Sequence, residues 1–113
     1  MSALLIDTDM TGNLPVVKVK GRVDSETAPE LDSALARLLK DEKYNIVLNL
    51  QDVDFLSSAG LRAIVRAYQE AQKSGGDVRL AAVSEPVEVI LRTVGMMQML
   101  KMYPTDQEAV ASF

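Results

Sequence analysis

The chain has 113 residues, 48% of them hydrophobic and 25% charged, with 12 basic against 16 acidic side chains and a net charge of −4. This profile fits one globular domain, residues 1–113, large enough to bury a core without a disulfide or metal staple. The absence of Cys and His removes the usual zinc ligand sets, thiol chemistry and a Ser-His-Asp hydrolase, so no metal, no cofactor and no enzyme is expected. Scattered basic residues, with only 2 Phe and 3 Tyr and no Trp, offer neither an electrostatic track nor a stacking platform for nucleic acid. No apolar run approaches the ~18 residues of a spanning helix, so membrane insertion is not expected. Met1 to Asp7 lack a basic region and a cleavage signal, which makes a cytoplasmic location the expectation.

In chain order, residues 3–8 and 14–20 read as two strands joined across Thr11-Gly12-Asn13, a turn that suits an antiparallel hairpin. Pro15 cannot donate to a ladder and should sit near a strand start or at an edge. Thr27-Ala28-Pro29-Glu30 reads as a capping box with Pro in the first turn. The helix it opens carries Ala28, Leu31, Leu35, Leu38 and Leu39 on one stripe. Asn45 to Leu50, short and branched, is expected to be a central buried strand.

A second helix is predicted from Ser57 or Ser58, with Leu61, Ile64, Val65, Tyr68 and Ala71 inward and Gly75-Gly76 as its stop. Asp77 to Ala82 form the next strand. Ser84-Glu85-Pro86 open a third helix with Val87, Ile90, Leu91 and Val94 inward, closed by Gly95. A strand around Leu100 to Tyr103 and a Thr105-x-x-Glu108 box leading into a last helix complete the order β-β-α-β-α-β-α-β-α. The expected fold is α/β: a mixed four- to five-stranded sheet opened by an N-terminal hairpin, with helices mainly on one face.

Asp52 to Leu61 lies between the central strand and the second helix, where free N–H groups would tolerate a phosphate on Ser57 or Ser58. Two serines there also serve simply as an N-cap, and both roles can coexist, with Ser57 the cap and Ser58 the exposed hydroxyl. Ala59 and Gly60 leave room for a partner to approach the backbone. Asp52 and Asp54 fit a solvated loop better than a metal or phospho-Asp pair. Met96, Met97, Met99 and Met102 fit gap-filling core. Asp24 is either a turn residue or part of a partner surface, and Arg62 and Arg66 are either surface charge or contacts for an acidic partner.

The run Ile46-Val47-Leu48-Asn49-Leu50 through Phe55-Leu56-Ser57-Ser58-Ala59-Gly60-Leu61 resembles the signature of STAS domains, in particular of bacterial anti-sigma factor antagonists. Gly21-Arg22-Val23-Asp24, Gly75-Gly76-Asp77 and Val94-Gly95-Met96 extend the resemblance over nearly the whole chain. It implies an antagonist that binds an anti-sigma factor serine kinase and releases the sigma factor. Phosphorylation of Ser58, with Ser57 as the alternative acceptor, would break that complex, and a PP2C-type serine phosphatase would restore it. The implied partner surface is Asp24, Ser57, Ser58, Ala59, Gly60 and Arg62. One departure stands out: the residue before the phosphoacceptor, acidic in the family, is Ser57 here.

The competing reading within the fold is an accessory subunit that grips the ATPase of a lipid-transport ABC complex without phosphorylation. A receiver domain would begin with a β-α unit rather than a hairpin. A nucleotide pocket lacks support, since neither a Gly-x-x-x-x-Gly-Lys loop nor a Gly-x-Gly-x-x-Gly run is present.

Overall fold

The computed structural model describes residues 4–113; the part of the first predicted strand at residue 3 lies outside them. Its elements are β1 (Leu5–Thr11), β2 (Leu14–Val23), α1 (Ala28–Lys40), β3 (Asn45–Leu56), α2 (Ser58–Lys73), β4 (Asp77–Ala81), α3 (Glu85–Thr93), β5 (Met102–Tyr103) and α4 (Asp106–Ala111). They form one five-stranded sheet in the order β1-β2-β3-β4-β5. The β1–β2 pair is antiparallel, and the three remaining pairs are parallel. The expected hairpin-opened mixed sheet is therefore present. Pro15, second in β2, faces Met10 across the hairpin.

Side-chain alternation along the strands divides the interior in two. Val17 and Val19, Ile46, Leu48 and Leu50, and Val78 and Leu80 point to the face covered by α1, α2 and α3, where Leu31, Leu35, Ile64, Val87 and Leu91 meet them. Val16, Val47 and Ala81 point to the other face, where Ala109 and Val110 of α4 close a smaller cluster. Three helices thus lie on one face and the short α4 on the other.

Several expectations change in detail. β3 runs to Leu56, six residues beyond Leu50, so Asp52 and Asp54 are exposed strand residues rather than a loop. β3 has β4 beside it only as far as Asn49, so the extension pairs with β2 alone, through two register shifts. On α2 the fully buried positions are Gly60, Ala63, Ile64, Ala67 and Ala71. Leu61 and Tyr68 are half-buried against the core, and Val65 is half-buried. Val94 is 51% exposed; it is the C-cap of α3, where its N–H closes on the Ile90 carbonyl at 3.1 Å. Met96, Met97 and Met102 pack against the core, while Met99 is exposed.

Two predicted caps are also replaced. Thr27 makes no side-chain cap; its hydroxyl donates to the Arg22 carbonyl at 2.8 Å and accepts from the Asp24 N–H at 2.9 Å. Ser84 likewise gives its hydroxyl to the Val53 carbonyl, tying the start of α3 to the β3 extension. Thr105 does cap α4, accepting from the Glu108 N–H at 3.1 Å. Helix α2 stops as expected, with Gly75 at φ +80° and the Gly76 N–H closing on the Ala71 carbonyl at 2.8 Å, the left-handed termination that glycine permits without strain.

Candidate functional site

The carboxyl ends of β2 and β3 deliver the chain side by side to the starts of α1 and α2. The Ser57 N–H donates to the Val23 carbonyl at 2.8 Å, so the two strand ends are stitched at the point where α2 begins. Ser57 is extended, with φ −77° and ψ 170°, and its hydroxyl oxygen accepts from the Gly60 N–H at 3.2 Å. That is an N-cap, and it leaves Ser57 half-buried. Ser58, the first residue of α2, is exposed. The two serines that the sequence left as alternatives thus occupy different environments: one hydroxyl is committed to the helix and the other faces solvent.

Gly60 does not leave room for an incoming group. It is buried, and a Cβ there would lie 2.5 Å from Val23 Cγ1 and 2.8 Å from Leu56 Cδ1. The absent side chain is filled by the protein's own core, which lets α2 approach the ends of β2 and β3. Ala59 is half-buried beside it.

Asp24 organises the loop between β2 and α1. Its Oδ1 accepts from the Glu26 N–H at 2.9 Å and from the Thr27 N–H at 3.0 Å. The Thr27 N–H is the main reason its carboxyl titrates below the ordinary value of 3.8, opposed by desolvation and assisted by the Glu26 N–H, the Thr27 hydroxyl and the Arg22 charge. Asp24 is therefore a turn residue by geometry, and its Oδ2 lies 3.8 Å from Arg22 Nε.

Arg22 is a feature the sequence did not reveal. Its guanidinium lies 3.9 Å from the centroid of the Phe55 ring, because the bulged parallel register sets Arg22 against Phe55. Cross-strand partnership after a bulge cannot be counted from residue numbers. Along α2, Arg66 is held by Asp32 of α1, with both carboxylate oxygens at 3.1 Å. Arg62 is exposed and borders a shallow depression of about 220 Å³ between α1 and α2, shared with Ser25, Ala28, Asp32 and Ala59. The structure thus groups Asp24, Ser57, Ser58, Ala59 and Arg62 around the start of α2, with Gly60 beneath them.

Among the described residues no group of three or more Asp or Glu could hold a metal ion, and no helix is long and apolar enough to cross a membrane. An exposed serine at a helix start, beside an exposed arginine on the edge of a shallow depression, has the geometry of a contact surface.

The STAS domain family model matches residues 6–109, and the chain belongs to that family. An anti-sigma F factor antagonist from Paenibacillus polymyxa is 25% identical over 111 residues, which cover 95% of this chain and 92% of that protein. An anti-sigma-B factor antagonist from Staphylococcus aureus is 26% identical over 97 residues, covering 86% of this chain and 90% of its own. Among solved structures, an anti-sigma factor antagonist from Mycobacterium paratuberculosis matches with a TM-score of 0.87 at 26% identity, over 96% of this chain and 92% of that one. The unphosphorylated antagonist SpoIIAA shares the fold, with a TM-score of 0.82 at 18% identity over 94% of this chain and 93% of its own.

Proposed function

We propose that this chain, acting as a single STAS domain over residues 1–113, is an anti-sigma factor antagonist of the bacterial cytoplasm. It binds an anti-sigma factor serine kinase through the surface at the start of α2, and the kinase then releases its sigma factor. The kinase transfers the γ-phosphoryl group of ATP to Ser58 Oγ: the new P–O bond forms at the serine, ADP leaves, and the serine proton passes to solvent. The complex then separates, and a PP2C-type serine phosphatase hydrolyses the phosphoserine to reset it. The names of the relatives support the antagonist role. The observation that carries the switch is the division of labour between the serines, with Ser57 spent on the Gly60 N–H and Ser58 exposed.

A phosphate adds about −1.5 to −2 charges, and stripping its water against a partner costs several kcal/mol, on the order of the penalty for an unpaired buried polar group or more. No refolding is required for such a switch. Affinity capture from the native host with wild-type, Ser58→Ala and Ser58→Asp baits tests the assignment. An ATP-binding serine kinase is expected on the first two and absent from the third. A transporter ATPase retained equally on all three would replace this function with the accessory-subunit role.

A further inference from the structure

Ser58, Arg62 and Arg66 follow one another at i,i+4 steps along α2, and all three are exposed. Arg66 is already engaged by Asp32, and Arg22 by the Phe55 ring and Asp24. Arg62 enters none of the ion pairs of the described residues. The first turn of α2 contains no acidic side chain, and the residue before Ser58 is Ser57, so no carboxylate of that turn competes for the guanidinium.

Helical side chains lean toward the N-terminus, which carries Arg62 over the turn that holds Ser58. Positions four apart have Cβ atoms about 5–6 Å from one another, a gap that an arginine and a phosphoserine span together with a forked hydrogen-bond pair. We propose that Arg62 is the intramolecular receptor of a phosphate on Ser58, which rests on the partner-switching reading of that serine. In the unphosphorylated protein the guanidinium is free for an acidic group of the partner. In the phosphorylated protein it is taken by the chain's own phosphate, so modification both adds a charge to the surface and withdraws a cation from it.

The test installs phosphoserine at position 58 by codon reassignment, without any kinase, in the wild type, Arg62→Gln and Arg62→Lys. The second phosphate pKa is then followed by phosphorus NMR. The helix N-terminus acts equally on all three proteins, so it cancels in the comparison. Removing the cation in Arg62→Gln should raise the pKa by about 0.15–0.4 unit, as the one charge added between monoanion and dianion implies for an i,i+4 pair. Arg62→Lys should recover most of the difference, and high salt should shrink it. An unchanged pKa in Arg62→Gln overturns the pairing. Failure of the underlying switch would show separately, as partner binding insensitive to phosphate whatever the residue at position 62.

Discussion

At the scale of single residues, the site depends on two groups whose roles are opposite to their exposure. Gly60 is buried and structural: in Gly60→Ala the new methyl would press on the stiff Val23 side chain at 2.5 Å, an overpacking that costs about 1–3 kcal/mol. Urea denaturation should show that loss, and a midpoint equal to wild type would mean the helix can shift freely. Asp24 is at the surface, and its lowered pKa makes it a contributor to stability near neutrality that is lost in acid. A carboxyl whose folded pKa lies below its unfolded value stabilises above the unfolded value, and that contribution fades as pH falls through the folded one. Asp24→Asn should therefore be less stable than wild type near neutrality and converge with it below pH 3.8. Thermal melts across that range measure the convergence; a constant difference down to the lowest pH would contradict it.

Legibility at this scale was uneven for a physical reason. The contrast between Ser57 and Ser58 follows from the local rule that a cap precedes the first helical residue, so the sequence could pose it. The Arg22–Phe55 stack depends on strand register through two irregularities, which local spacing does not encode.

At the scale of elements, the misread parts are those where a side chain found a better partner than its nearest helix N–H. Thr27 sits in a pattern that reads as a capping box, yet Asp24 Oδ1 takes its N–H and frees its hydroxyl to bridge Arg22 and Asp24. Thr27→Val keeps the shape and removes both hydroxyl bonds, so about 1–3 kcal/mol should be lost; a neutral effect in chemical denaturation would show that water replaces them. The β3 extension was obscured by Gln51, Asp52 and Asp54, and by the register shift at Asp54 that puts the buried Val53 and Leu56 three residues apart and breaks the period-two alternation. Helix α4 is short but doubly fastened. Asn49 Nδ2 donates to Asp106 Oδ1 at 2.7 Å, and Arg79, largely buried and paired with Asp77 at 2.9 Å, also donates to Ser112 Oγ at 2.8 Å and underlies the Phe113 ring at 4.1 Å. Arg79→Leu should cost about 2–3 kcal/mol and speed hydrogen exchange in α4 more than in α2. Uniform exchange across both helices would refute this fastening.

At the scale of the whole molecule, the order of strands and helices was readable because short apolar strand runs and stretches of period 3.6 follow one another from Leu14 to Ala109, with glycines just past the ends of α2 and α3. The placement of α4 on the opposite face was not readable, since Ala109 and Val110 carry too short a stripe to name the surface they cover. The resulting fold has one rim where β2, β3, α1 and α2 meet, and the cap, the free hydroxyl and the unpaired guanidinium all lie there. The measurement that bears most directly on this arrangement is calorimetric titration of the cognate nucleotide-bound anti-sigma factor kinase with unphosphorylated and Ser58-phosphorylated protein. Tight binding of the first and at least about 100-fold weaker binding of the second is the predicted result. Equal affinity for the two forms would contradict it and leave Ser58 an ordinary surface residue beside a helix cap.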